Sequence, residues 1–284
     1  TQSRSSAASD VYKRQTVNIY SVIKKGVDLM SDYVYELAKK HHSVRKFKDQ
    51  PLSEDVVRKL VEAGQSASTS SYLQTYSIIG VEDPEIKAEL KEVSGQHYVV
   101  DNGYLFVFVL DYYRHSLINE DVEQHMETSF ESAEGLLVGA IDVALVSENI
   151  ALAAEDMGYG IVYLGSLRND VGRVREILDL PEYAFPLFGM AVGEPAEDEN
   201  GSPKPRLPFG HVFHKNVYNS NKAQQKETLN AYDQMVSKYY QDRTNGVRNE
   251  TWSQQVAGFL SGKARLDMFC LLYTSDAADD LLCV

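Results

Sequence analysis

The sequence predicts an α+β fold, with helices flanking a central mixed β-sheet and a helical arm closing the chain. Three observations predict it. Tyr76 to Val81, Tyr104 to Asp111, Ile161 to Leu164 and Phe185 to Val192 are β-branched and aromatic runs bounded by turn residues, and read as strands. Between them, apolar residues recur at helical spacing without an internal repeat. The last quarter is helical only and needs a surface to pack on.

Taken in order, Ser31 caps an amphipathic helix, SDYVYELAKKH. Ser53, followed by Glu54 and Asp55 and then Val56, Val57, Leu60 and Val61, caps a second helix that ends near Gly64. Asp83 and Pro84 open a third, the proline sitting where its missing N–H costs nothing. The longest helical stretch, about Ser129 to Met157, puts Leu136, Leu137, Ala140, Ile141, Ala144 and Leu145 on one wide apolar face, which predicts a central helix buried on most sides. Gly193 to Val217 is rich in Pro, Gly and charge and reads as a long loop. Helices over about Asn221 to Gln241 and Glu250 to Gly262 form the arm.

The ends differ from the body. Residues 1–15 and 271–284 are aperiodic, and SDVYKRQ and LYTSDAADD resemble translated adapter sequence, so both are expected to lie outside the fold. Met30 is the expected start, with residues 1–29 a non-native or disordered leader. Residues 30–270 then form one domain whose arm covers about 221–270.

Composition closes several doors. The 284 residues carry 28 Lys and Arg against 41 Asp and Glu, and 28 − 41 gives a net charge of −13. With 43% hydrophobic and 24% charged residues the chain is an ordinary globular one. Its acidity argues against non-specific binding to nucleic acid or an anionic membrane, both of which need a basic surface. Local clusters of cations still allow anionic ligands. Cys270 and Cys283 would close only a short loop, which favours a reducing compartment. The most apolar stretch, Ala133 to Ala154, is interrupted by Glu134, Asp142 and Glu148, so it reads as a buried helix and not as a membrane span. Without an apolar signal core, the cytoplasm is the expected location.

Common catalytic signatures are missing. Gly158-Tyr-Gly160 leads into a strand and has Tyr163 where a dinucleotide fingerprint needs its third glycine. There is no P-loop and no HExxH helix, His211 and His214 lack a carboxylate at ligand spacing, and Gly64-Gln-Ser66-Ala-Ser68 lacks the second glycine of a nucleophile elbow. No metal site is expected.

Four polar segments remain. His41-His42-Ser43-Val44-Arg45-Lys46-Phe47 is either a solvated basic turn or an anion clamp in which Arg45 gives a planar donor pair. Ser66 to Gln74 is a run of hydroxyls and amides leading into a strand. Tyr163-Leu164-Gly165-Ser166-Leu167-Arg168-Asn169 ends a strand in small residues, with Asn169 expected to cap the next helix. It is a plain turn or a place where backbone N–H groups approach a ligand. Pro203-Lys204-Pro205-Arg206-Leu207-Pro208 is a polyproline docking segment or a fourth cationic contact.

In this order and spacing, the HHSVRKF, STSSYLQ, YLGSLRN and KPRLP segments resemble the nitroreductase family of flavoproteins, in its NADPH-dependent, oxygen-insensitive nitroreductase and flavin reductase branch, from about Met30 to Asp267. The resemblance implies a nitroreductase-like fold, an intertwined homodimer and FMN at the subunit interface. It implies that His41, His42, Ser43 and Arg45 meet the FMN phosphate, ribityl chain and pyrimidine edge, that Thr69 and Ser71 add hydroxyls, and that Gln96 bonds the flavin. Tyr163, Leu164, Gly165 and Ser166 would lie over the flavin ring, and Lys204 and Arg206 would hold the phosphate. Arg243 and Arg248, in RTNGVRNETW, match the segment that binds the 2′-phosphate of NADPH, a second anion site. Ser166 stands where the family usually has a second glycine.

The implied activity is NADPH-driven reduction of nitroaromatics, quinones or free flavins by ping-pong hydride transfer, with the chemistry carried by FMN and no side-chain catalyst. Two rivals stay open. One is the same fold with other flavin chemistry, such as flavin fragmentation or reductive dehalogenation. The other is a non-enzymatic interaction module displaying PKPRLP.

Overall fold

The computed structural model describes residues 32–122 and 126–261. Met30, Ser31, both cysteines and the two segments expected to lie outside the fold are beyond the described residues. Helix α1 (Tyr33–Lys40) begins after Asp32, whose side chain makes no cap bond, and Glu36 N bonds the Asp32 carbonyl at 2.8 Å. Helix α2 (Glu54–Gln65) starts at Ser53, whose side chain accepts from Val56 N, and α3 (Pro84–Ser94) follows strand β1 (Tyr76–Val81) with Asp83 accepting from Glu85 N and Ile86 N. The starts of α2 and α3 and the limits of β1 are as the sequence predicts, whereas α1 follows Asp32 and the cap expected at Ser31 lies outside the described residues.

Strand β2 (Tyr104–Asp111) is buried along its whole length, as a central strand covered on both faces must be. After it come α4 (Tyr113–Val122), which has no clear helical pattern in the sequence, and a single turn, α5 (Glu127–Phe130). The long helix α6 (Ala133–Asp156) does not run from Ser129. It begins anew where Ser132 accepts a hydrogen bond from Gly135 N at 2.9 Å, because the preceding turn folds back onto Gly135. A Cβ there would lie 2.2 Å from the Ser129 carbonyl oxygen.

Strand β3 (Gly160–Leu164), helix α7 (Val171–Ile177) and strand β4 (Ala184–Gly193) complete the sheet, whose order is β1-β2-β4-β3. Every pairing among the described residues is antiparallel, which corrects the mixed sheet expected from sequence. The chain returns by long excursions that bring each strand back reversed beside its neighbour, a choice strand patterns alone do not encode. Asp170, not Asn169, caps α7 by accepting from Arg173 N at 2.9 Å, while Asn169 Nδ2 reaches the Val93 carbonyl.

Helices α2 and α6 cover one face of the sheet, over a core that includes Phe106, Phe108, Val143, Val146, Ile150 and Ile161. Helices α3 and α7 cover the other, with Leu90, Leu105, Val107, Leu164, Leu167 and Val174 between them. The face that α6 buries is lined by Gly139, Asp142, Val143, Val146 and Ile150. By length and composition α6 could cross a membrane, yet one of its faces is the wall of the core. Leu137, Ile141 and Leu145, expected to be buried, are 57%, 50% and 44% exposed, so α6 is not buried on most sides in the single chain.

A four-residue turn, α8 (Phe209–Val212), interrupts the long loop, and the arm consists of α9 (Lys222–Arg243) and α10 (Trp252–Leu260). Tyr232, Val236 and Tyr240 of α9 form a small separate core with Leu207 and Trp252. The arm is therefore fastened to the KPRLP segment.

Candidate cofactor site

A cavity of about 130 Å³ is lined by His41, His42, Ser43, Arg45, Gly201, Ser202, Lys204, Arg206 and Arg243. It brings together residues from three distant parts of the chain, and each is positioned by identifiable bonds. The segment after α1 is laid along β3 and the end of β4: Val44 N bonds the Ile161 carbonyl at 2.9 Å, Lys48 N the Glu194 carbonyl at 2.9 Å, and Ala196 N the Lys46 carbonyl at 3.0 Å. Glu199 then ties this segment to the next. Its carboxylate accepts from Arg45 N at 3.1 Å, Lys46 N at 3.0 Å and Gly201 N at 2.7 Å. Burial pushes the Glu199 carboxyl up, but these three backbone donors outweigh it and hold the group below its usual range. Position 201 needs glycine, since a Cβ would lie 2.5 Å from His42 Cδ2.

The Lys204 to Arg206 stretch is held from the arm. Tyr232 Oη donates to the Pro205 carbonyl at 2.9 Å and Tyr239 Oη to the Ser202 carbonyl at 3.2 Å, while Arg243 Nη1 donates to Tyr239 Oη at 3.3 Å. The Pro205 carbonyl is bonded and Leu207 packs beside Tyr232, which anchors the segment, while Pro203, Lys204 and Arg206 stay exposed.

His41 Nδ1 lies 2.6 Å from Glu155 Oε1 at the end of α6. The hydrogen bond to Glu155 holds the imidazole above its ordinary value, against the opposing effects of burial and of Arg206. Tyr163 Oη donates to Glu148 Oε2 at 3.2 Å two turns earlier on the same face of that helix, and burial pushes its phenol well up. Glu148 and Glu155 are 155 − 148 = 7 residues apart, about 10 Å along α6 at ~1.5 Å per residue, so Tyr163 and the cavity flank the same half of that helix.

The other predicted residues lie elsewhere. Leu164 is buried in the core, paired with Gly189 of β4. Gly165 and Ser166 begin a 3₁₀ turn, and Ser166 Oγ lies 2.6 Å from Ser94 Oγ, which brings the turn to the end of α3 and so to Gln96. Thr69 and Ser71 sit in a loop held against the middle of α6. Asp142 there accepts from Ser70 N at 2.8 Å, Thr75 N at 3.1 Å and Thr75 Oγ1 at 2.9 Å. Asp142 and Glu155 are 155 − 142 = 13 residues apart, about 20 Å along the helix at ~1.5 Å per residue. Thr69 and Ser71 therefore do not reach the cavity of their own chain.

Arg248 is also outside the cavity lining. It is bonded to Glu250 at 2.6 Å and stacked 4.0 Å above the Tyr240 ring, whereas Arg243 lines the cavity beside Lys204 and Arg206. Among the described residues, no group of three or more His, Cys, Asp or Glu is placed to hold a metal.

The cavity can do one thing well chemically. Its guanidinium, ammonium and imidazole donors converge on a volume suited to a phosphate, not to a whole nucleotide. Of the carboxylates that matter, Asp142 and Glu148 stand out in the sequence only as interruptions of an apolar stretch, and Glu155 and Glu199 do not stand out at all. The one available signal was Glu155-Asp156 at the C-terminus of α6, where the helix dipole disfavours negative charge and a partner is therefore required.

The chain matches the Nitroreductase family over residues 38–194 and the Nitroreductase family, C-terminal domain, over residues 204–273. An NADPH-dependent oxidoreductase of Staphylococcus haemolyticus (strain JCSC1435) is 82% identical over 239 residues, 84% of this chain and 95% of that protein. Among solved structures, NfrA1 of B. megaterium is 47% identical with a TM-score of 0.81, covering 84% of this chain and 96% of that one. The NADPH:FMN oxidoreductase from Vibrio harveyi, complexed with NAD+, is 39% identical with a TM-score of 0.73 over the same shares. With the helix-covered sheet, the cation-lined cavity and these matches in agreement, the chain belongs to the nitroreductase family.

Proposed function

We propose that the protein is an FMN-dependent oxidoreductase that uses NADPH to reduce nitroaromatics, quinones or free flavins. The observation that carries this reading is the cavity where His41, Ser43, Arg45, Lys204 and Arg206 converge, a donor set suited to the phosphate of a mononucleotide. At about 130 Å³ the cavity takes that phosphate only, so the rest of the cofactor extends from it toward the Tyr163 to Ser166 turn. The names of the relatives, an NADPH-dependent oxidoreductase and an NADPH:FMN oxidoreductase, support the donor and the cofactor.

Bound FMN supplies the hydride chemistry, accepted from NADPH and passed to the oxidant in a ping-pong cycle. The chain's part is to bind and orient. Arg45 is fixed by Glu199 through its backbone and by its own Nη1 bond to the Ser43 carbonyl at 3.2 Å, so its charge enters the site without further ordering cost. Gly165 and Ser166 present backbone N–H groups at the strand end. Arg243 lies at the mouth of the arm, where it can hold a second phosphate, that of NADPH.

We further propose that the enzyme is a homodimer. Thr69 and Ser71, remote from the cavity of their own chain, would complete the site of the partner, and the exposed Leu137, Ile141 and Leu145 of α6 would be covered in the same contact. The test is direct. Purified protein should be yellow, with absorbance near ~450 nm from oxidised flavin. Stopped-flow reduction by NADPH should outpace reduction by NADH. A protein that neither carries nor takes up FMN refutes the proposal.

A further inference from the structure

We propose that Glu155 is a positioning residue for the cavity: through its contact with Nδ1 it fixes the His41 ring and favours the protonated form, so that Nε2 is left to donate to a bound phosphate. This rests on the reading of the cavity as the FMN phosphate site. The geometry begins with the 2.6 Å contact from His41 Nδ1 to Glu155 Oε1, in which the carboxylate side chain is only 13% exposed. Glu155 leaves Nε2 as the one ring nitrogen a ligand can use.

The surroundings explain why a carboxylate is needed. From the loop, Lys204 and Arg206 face the same cavity; from the His41 segment, Arg45 and His42; and from the arm, Arg243. Of these, Arg206 acts against a proton on His41. On α6, Glu148 also favours the proton, but at a distance, since its own bond is to Tyr163. Glu155 is the carboxylate in direct contact. Without it the imidazole would titrate at or below its ordinary value, and the cavity would lose one charge-assisted donor at pH 7 to 8.

The experiment compares wild type with Glu155→Gln, which keeps the shape and removes the charge. In ligand-free protein the His41 ring proton, assigned by its disappearance in His41→Gln, is titrated by NMR. Its midpoint should fall in Glu155→Gln, and an unchanged midpoint overturns the proposal whether or not FMN is the ligand. Binding of FMN and of riboflavin, which lacks the phosphate, is then followed by flavin fluorescence from pH 6 to 9. In Glu155→Gln, FMN affinity should be about tenfold weaker at pH 8 and recover toward pH 6 while riboflavin affinity is unchanged. Equal loss of both ligands, or an FMN profile parallel to wild type, also overturns it. In the His41→Gln background, Glu155→Gln should add nothing. If wild type binds FMN no better than riboflavin while the NMR midpoint still shifts, the FMN assignment fails and the His41–Glu155 pairing stands.

Discussion

Replacing Asp142 by Ala tests what holds the Thr69 to Thr75 loop. The carboxylate has no exposed surface and accepts three hydrogen bonds, two of them from Thr75, which is also fully buried. Alanine is the best helix former, so the change does not penalise α6 itself. It orphans the Thr75 N–H and hydroxyl, whereas Ser70 N–H, only partly buried, can turn to water. Two buried orphans cost ~2–6 kcal/mol at ~1–3 each. Truncation also returns the desolvation cost of the carboxylate, which places the expected loss in the lower half of that range, about 2–3 kcal/mol. The loop cannot hold itself: Ser71, Tyr72 and Gln74 all have positive φ, a conformation that costs a non-glycine residue about 1 kcal/mol or more. Urea unfolding followed by circular dichroism gives the total, and hydrogen exchange over residues 69–75 gives the location. Asp142→Asn, which keeps one acceptor oxygen but turns an amide toward a donor, should fall between wild type and Asp142→Ala. A loss below ~0.5 kcal/mol, or a loss that leaves exchange in the loop unchanged, would refute the argument.

Three further outcomes are expected. Gln74→Gly should stabilise the protein by up to about 1 kcal/mol in urea unfolding, because φ of 55° no longer costs anything, less the entropy glycine adds to the unfolded chain. Gly139→Ala should lower the melting temperature, since its Cβ would lie 2.4 Å from Leu110 Cγ and α6 must move off the sheet at a cost of roughly 1–3 kcal/mol. For Glu199 the sign is set by a folded pKa held below the ordinary 4.5: its contribution is full above that value and is lost as pH falls through the folded value. Glu199→Gln should therefore be less stable than wild type at pH 7 by circular dichroism melts, with the gap closing toward pH 3.

Much of the fold was legible because local signals and tertiary packing agree. Ser53 and Asp83 cap the helices they precede, and the limits of β1 and β2 fall where the apolar runs end. The misreadings share a cause, which is that the deciding partner is far away in sequence. Nothing near Ser129 says that its carbonyl will press on Gly135, and nothing in a strand states the direction of its neighbour. The apolar face of α6 was read as buried because hydrophobic residues call for cover. In one chain it is Gly139, Val143 and Val146 that face the core, while Leu137, Ile141 and Leu145 are exposed. The basic segments stand out as clusters, but the anchor of PKPRLP is Tyr232, 27 residues on from Pro205, which no local pattern announces.

The acidity of the chain bears on the site in a way its total does not reveal. A net charge of −13 is more than enough to neutralise a cluster of cations, yet the carboxylates nearest the cavity are spent on other work. Glu199 has its oxygens filled by three backbone N–H groups, so it shapes the Arg45 segment without occupying the guanidinium. Glu155 faces His41, an imidazole whose charge is conditional, and there a negative neighbour favours the cation instead of cancelling one. Arg248, by contrast, is paired with Glu250 and covers Tyr240. Position therefore decides whether an acid opposes an anion site or builds it, and the same residues that make the protein acidic leave Arg45, Lys204, Arg206 and Arg243 open to a phosphate.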